Sequence, residues 1–384
     1  MRDPDHASDH GRAWAARRIA LPGVGVLGLF GVLGGCPGPH APGGAQVAPL
    51  TIEVGQPGWL LSGVTASGDG ATVFVSLSSA AAPPAAEPAP AAAASAGPAA
   101  PGGAPVAPAG PSAARTTITA RRRGEPGPRW HTDLDGGGGP LVRAGSLVVA
   151  ALGGTGGAAG LALRGEPGSV VVALDAATGA VAWKRALDAT EWSVIAALAA
   201  APDGVIVGGS FSGTLRIGDK VVSSGGRTDG FVARLTAAGE LAWVVRVGGP
   251  GADAVQGVAT AGARIAIAGT FAAGADLLGA RLPPFDERSI AADGFVAELD
   301  PTGARRWVDT FGGRHDETVA GVAIDARGRI AVAGTIRETV HVGGADLVVN
   351  GAADGLVAWW APDGTAGAQL LIGGSDFDGL RAIA

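Results

Sequence analysis

A single cysteine, Cys36, occurs in the sequence, so no internal disulfide can staple it. Lysine appears only at Lys184 and Lys220, and charged residues are 16% of 384, below the usual quarter or so. The net charge is −6, so no basic excess points to nucleic acid as the main partner. There are six histidines. None is paired at metal-ligand spacing outside the first ten residues, and one cysteine cannot complete a Cys/His zinc site. Gly-x-Ser-x-Gly, the P-loop and His-Glu-x-x-His are all missing, which removes the common nucleophile, phosphate and zinc-protease signatures. Beyond residue 35 no stretch keeps a 3.6-residue apolar period for more than three turns, which excludes a helical bundle.

What is abundant is glycine, 67 of 384 residues, and it is ordered rather than scattered. Asp229-Gly230-Phe231-Val232-Ala233-Arg234-Leu235 is followed by Gly239, Trp243 and Gly248-Gly249. Asp293-Gly294-Phe295-Val296-Ala297-Glu298-Leu299 is followed by Gly303, Trp307 and Gly312-Gly313. Asp354-Gly355-Leu356-Val357-Ala358 is followed by Gly364 and Gly373-Gly374, with Ala368 where the tryptophan would stand. A repeat of this length means that each copy is one unit that buries its apolar surface only against its neighbours. Short β-branched runs bounded by glycine, such as Val205-Ile206-Val207 and Ile330-Ala331-Val332, are strand signals. Four such strands fit each unit, and repeated four-stranded units are the pattern of an all-β, β-propeller fold. The blades are expected at about 57–135, 136–190, 191–250, 251–313 and 314–374, followed by residues that resemble the first strand of another blade, as in an incomplete or truncated propeller. The longest connection, between the second and third strands, is where binding is expected.

The N-terminal third has a different organisation. Arg17-Arg18 precede an apolar run from Ile19 to Gly35, 17 residues with six glycines and one proline, shorter than the ~20 a spanning helix needs. Basic, apolar and small-residue segments in that order make a secretory signal over residues 1–35. Ending as it does in Leu33-Gly34-Gly35-Cys36, it resembles the lipobox of bacterial lipoproteins. That resemblance implies export, diacylglycerol on Cys36 and a cell-envelope location at the outer membrane, on its periplasmic or surface face. Residues 36–49 then read as a flexible tether and 50–384 as the propeller. The Pro/Ala-rich residues 80–113 carry one charge, Glu87, and read as a solvated insertion within the first blade.

Two further resemblances concern the repeats. Ala173-Leu174-Asp175-Ala176-Ala177-Thr178-Gly179-Ala180-Val181-Ala182-Trp183 looks like the repeat of pyrroloquinoline-quinone-type propellers. There the Asp…Thr-Gly…Trp arrangement docks one blade on the next, which implies blade docking by Asp175, Thr178, Gly179 and Trp183. The later units are similar to a bacterial extracytoplasmic β-propeller repeat family. Trp243 and Trp307, on fourth strands, are expected to wedge between blades, where aromatic burial is most effective.

Asp253, Glu317 and Asp378 recur after the Gly-Gly pairs, accompanied by Asp316 and Asp376. One reading is turn capping. The other is calcium, because a hard cation takes several oxygen ligands. No other cofactor is expected and no catalytic residue stands out. The expected function is that of a non-enzymatic, lipid-anchored scaffold or binding module for an envelope protein or glycan. The alternative is a quinoprotein-type dehydrogenase with its cofactor at the propeller axis.

Overall fold

A computed structural model describes residues 26–28, 51–53, 59–67, 70–79, 114–153, 168–281, 285 and 291–383. Cys36, the tether at 36–49, the insertion at 80–113 and most of the leader lie outside the described residues. The chain divides into two units, Met1–Pro57 and Gly58–Ala384. In the first, β1 (Val26–Gly28) pairs antiparallel with β2 (Thr51–Glu53), so Thr51–Glu53 joins no blade.

The second unit is all-β among its described residues. Blade 1 is β3 (Trp59–Ala66), β4 (Thr72–Ser79), β5 (Arg115–Arg122) and β6 (Pro128–Asp135). Blade 2 is β7 (Gly137–Ala144), β8 (Leu147–Gly153), β9 (Ser169–Asp175) and β10 (Val181–Ala189). Blade 3 has β11 (Trp192–Ala201) and β12 (Gly204–Ser212), then a hairpin of β13 (Thr214–Ile217) and β14 (Lys220–Ser223), then β15 (Asp229–Thr236) and β16 (Leu241–Gly248). Blade 4 repeats this with β17 (Ala254–Ala261), β18 (Arg264–Phe271), the short hairpin β19 (Asp276–Leu277) and β20 (Ala280–Arg281), β21 (Asp293–Leu299) and β22 (Arg305–Gly313). Blade 5 has β23 (Thr318–Ile324), β24 (Ile330–Ile336), the hairpin β25 (Thr339–Val342) and β26 (Ala345–Val348), β27 (Asp354–Trp360) and β28 (Ala366–Ile372). Each blade is an antiparallel meander. The first strands pack in succession, β3 on β7, β7 on β11, β11 on β17 and β17 on β23, which puts them innermost and makes the unit a β-propeller.

The apolar cores lie between blades. Val171, Leu187, Val205, Phe231 and Leu235 form one core between blades 2 and 3, and Ile267, Phe271, Val255 and Phe295 another between blades 3 and 4. A middle strand is covered on both faces, so β21 and β24 are buried at every position and read as continuous apolar runs rather than alternating ones. The fourth strand of blade 2, β10, faces solvent on one side and alternates over most of its length.

The connections between second and third strands are not simple loops. The β13–β14 hairpin pairs with β10 of the preceding blade, β19–β20 with β16, and β25–β26 with β22. Blades 3, 4 and 5 therefore each reach back and extend the sheet of the preceding blade from four strands to six. The signal for the first of these hairpins is the alternation in Thr214-Leu215-Arg216-Ile217 followed by the β-branched Val221-Val222, about Gly218-Asp219, a two-residue hairpin turn.

Candidate functional site

Successive blades meet along a turn seam, and from blade 3 onward a second seam joins each blade to the residues that follow it. The first is at the face that carries the turns between third and fourth strands. Trp130 on β6 donates its indole N–H to Ala176 O at 3.1 Å, Trp183 on β10 to Ala237 O at 2.9 Å and Trp243 on β16 to Pro301 O at 2.9 Å. Each acceptor belongs to the turn of the following blade, and the ring of each lies on that turn's glycine, Gly179, Gly239 and Gly303. Trp307 lies likewise on Gly364 but donates to Glu298 Oε2 within its own blade at 3.2 Å. The motif Asp175, Thr178, Gly179 and Trp183 is thereby shared between two junctions. Gly179 receives Trp130 from blade 1, while Trp183 reaches forward to blade 3. These four indoles are half-buried, each with one face on the turn.

Asp175 shapes its turn: Oδ1 accepts from Thr178 N at 2.9 Å, Thr178 Oγ1 at 2.8 Å and Ala177 N at 3.1 Å. The Thr178 hydroxyl and N–H hold the Asp175 carboxyl below the usual range. Asp300 repeats this with Thr302. The glycine that follows sits at positive φ, +76° at Gly179 and +84° at Gly303. A methyl group on Gly303 would lie 2.9 Å from the Trp243 ring, whereas one on Gly262, at φ +59°, would meet nothing within 4 Å. Gly262→Ala should therefore cost only the backbone term, about 1–2 kcal/mol. Gly303→Ala should cost that and about 1–3 kcal/mol more for displacing the indole. Urea midpoints of the two variants check this, and equal shifts would remove the indole from the account.

The second seam is at the opposite face, where three carboxyl pairs form. The acid that opens each third strand, Asp229, Asp293 or Asp354, meets the acid that follows the Gly-Gly pair, Asp253, Glu317 or Asp378. The pairing is made by backbone: Asp253 N donates to Thr228 O, Glu317 N to Ala292 O and Asp378 N to Ala353 O, at 2.8, 3.0 and 2.8 Å. Asp229, Asp293 and Asp354 escaped the sequence reading as site residues. Their signal is a fixed acid at the mouth of an otherwise apolar strand.

In the first pair, Asp229 Oδ2 accepts from Arg246 Nη1 at 2.7 Å and from Gly225 N at 3.0 Å. Asp253 accepts from Gly249 N at 2.7 Å and Ala272 N at 2.8 Å. Burial, with Asp229 beside it, pushes Asp253 up to about 6 against the pull of those N–H groups and Arg246. In the second pair Asp293 Oδ2 accepts from Phe285 N at 3.2 Å, and burial raises Asp293 to about 6. Burial and the neighbouring Asp293 push Glu317 up to about 8. In the third, Asn350 N and Gly374 N donate to Asp354 and Asp378 at 2.9 and 2.8 Å. Asp316, exposed, accepts from Ala292 N at 2.8 Å, and Asp376, also exposed, supplies a backbone carbonyl to Ala352 N at 3.2 Å. Among the described residues no three His, Cys, Asp or Glu side chains gather as a metal would require.

The axis is chemically plain. Strands β3, β7, β11, β17 and β23 carry one charged residue among them, Arg143, whose Nε donates to Gly145 O at 2.9 Å. Each inner strand bulges once, at Ser62, between Gly138 and Leu141, at Ala196, at Gln256 and at Ala320.

No family model matches the chain, and no curated protein matches it. Among solved structures it is similar to BamB from Moraxella catarrhalis, at 12% identity and a TM-score of 0.39, over 84% of this chain and 87% of that one. It is also similar to hydrazine synthase of Kuenenia stuttgartiensis, at 10% identity and a TM-score of 0.39, over 87% of this chain and 93% of that one. A third is the quinohemoprotein alcohol dehydrogenase of Comamonas testosteroni, at 11% identity and a TM-score of 0.32, over 68% of this chain and 58% of that one.

Proposed function

We propose that this chain is a non-catalytic binding module of the cell envelope, held to a membrane by lipid on Cys36, that offers the hairpin face of its propeller to a protein or glycan partner. The observation that supports it best is the contrast between axis and rim. The innermost strands carry one ionisable side chain, Arg143, among apolar and neutral polar ones, and cofactor chemistry at the axis would call for acids and bases there. The hairpins, in contrast, present exposed apolar side chains, Val221 on β14 and Val348 on β26. These hairpins vary from blade to blade in length and sequence on a constant frame, the usual arrangement for recognition on a repeat scaffold.

The test places a photo-crosslinking residue at Val348 in cells that express the chain, with Cys36 intact or as Cys36→Ala, and labels them with palmitate. The expected result is palmitate label and a discrete adduct with Cys36 intact, and loss of label and of membrane association with Cys36→Ala. An intact chain without label would overturn the anchoring. Quinone-dependent dye reduction by the purified chain, with an alcohol or sugar as substrate, would overturn the non-catalytic reading.

A further inference from the structure

We propose that Asp293 and Glu317 bind a calcium ion that clamps blade 4 to blade 5 at the carboxyl seam. The two acids are brought together by the chain itself, through the Glu317 N–H on Ala292 O. Asp293 is 3% exposed and Glu317 2%. Three of their four carboxyl oxygens, Asp293 Oδ1 and both oxygens of Glu317, make no well-formed hydrogen bond, the Gly313 N–H pulling on both carboxyls without closing one. Buried polar atoms are almost always satisfied, and each one that is not needs a reason.

The equivalent junction between blades 3 and 4 shows what is missing. There Arg246 brings a guanidinium to Asp229 and both oxygens of Asp253 are taken by backbone N–H groups, so that only Asp229 Oδ1 is left without a partner. Arg246 stands three residues after Trp243 on β16. Three residues after Trp307, at the same place on β22, stands Thr310, which carries no charge. Glu317 also replaces the aspartate found at 253 and 378, and its longer side chain carries two unpaired oxygens. Two buried carboxylates repel, so a pair that has lost its arginine must keep a proton or take up another positive charge in its place.

The donors select that charge. Carboxylate oxygen without nitrogen or sulfur favours a hard cation over zinc or copper. Calcium accepts irregular coordination completed by backbone carbonyls and water, whereas magnesium demands near-octahedral geometry. This inference is independent of the proposed function, because a structural ion in a seam leaves the partner-binding face unchanged.

The experiment uses the full chain, stripped with chelator at pH 7.5. Calorimetric titration with calcium chloride should show one site, with Kd on the order of 10⁻⁴ M as in extracellular calcium modules. Calcium at a hundred times Kd should raise Tm by about 5 °C. The double variant Asp293→Asn, Glu317→Gln keeps the shape and removes the repulsion. In chelator it should melt above the parent and should not respond to calcium. Thr310→Arg, which recreates the blade 3–4 arrangement, should do the same. No calcium response in the parent would overturn the proposal, as would an equal response in the double variant, or magnesium binding as tightly as calcium.

Discussion

Trp360→Ala is expected to destabilise the propeller by about 4–6 kcal/mol. Trp360 closes β27 and is completely buried. Its ring packs 6.2 Å from that of Phe311 on β22, in the core between blades 4 and 5 with Ile330, Val342 and Ala358. Its indole N–H donates to Asp309 Oδ2 at 2.7 Å, so one side chain closes the core and ties it to the neighbouring blade. Truncation opens a cavity costing about 3–5 kcal/mol and strands the Asp309 acceptor for about 1 kcal/mol more. Trp360→Phe refills most of the volume without the donor and should cost roughly half as much. Urea unfolding followed by tryptophan fluorescence measures both. An alanine variant within 1 kcal/mol of the parent would show that this core does not bind the two blades.

The second large effect is on pH. In chelator the parent chain should lose stability as pH rises from about 5 to about 8, on the order of 4 kcal/mol, and Glu317→Gln should abolish most of that loss. The folded form binds the Glu317 proton more tightly than the unfolded chain does, since the pKa rises from 4.5 to about 8. Stability from this group is therefore complete below pH 4.5 and is lost as pH climbs through about 8. Asp293 and Asp253, raised from 3.8 to about 6, act in the same direction at lower pH. The turn acids Asp175, Asp300, Asp325 and Asp363 act in the opposite direction. Their lowered pKa contributes stability above 3.8 that is lost on acidification. The optimum should fall between these ranges, in mildly acidic solution. Denaturant midpoints across pH 4–9 for parent and Glu317→Gln check this, and parallel curves would exclude Glu317 as the cause.

The blades were legible in the sequence because their third strands are buried on both faces. Asp293-Gly294-Phe295-Val296-Ala297-Glu298-Leu299 has no exposed position and so repeats almost unchanged from unit to unit. The tryptophans stand out in the sequence for a different reason, as large residues at one offset in a small-residue background. Their partners do not, since Trp243 meets a turn 58 residues further on through the Pro301 carbonyl, a group with no sequence identity of its own. The hairpins were read as loops because nothing local reveals that β25 pairs with β22, a strand laid down before the whole of β23 and β24. The carboxyl seam was half legible. Asp253, Glu317 and Asp378 stood out, but the acids that face them lie on the far side of a strand pair. The difference between Arg246 and Thr310 has meaning only once those acids are side by side.

The backward-reaching hairpins also have a consequence for synthesis. Strand β10 ends at Ala189, but its cap is complete only at Ser223; β16 ends at Gly248 and waits for Arg281; β22 ends at Gly313 and waits for Val348. A chain emerging from its N-terminus thus leaves each of these three sheets with a bare hydrogen-bonding rim until the following module has begun to fold, and bare rims invite pairing with strangers. Pausing just past a blade should be more hazardous than pausing one hairpin later, so the risk of aggregation along the nascent chain should rise and fall with the period of the repeat.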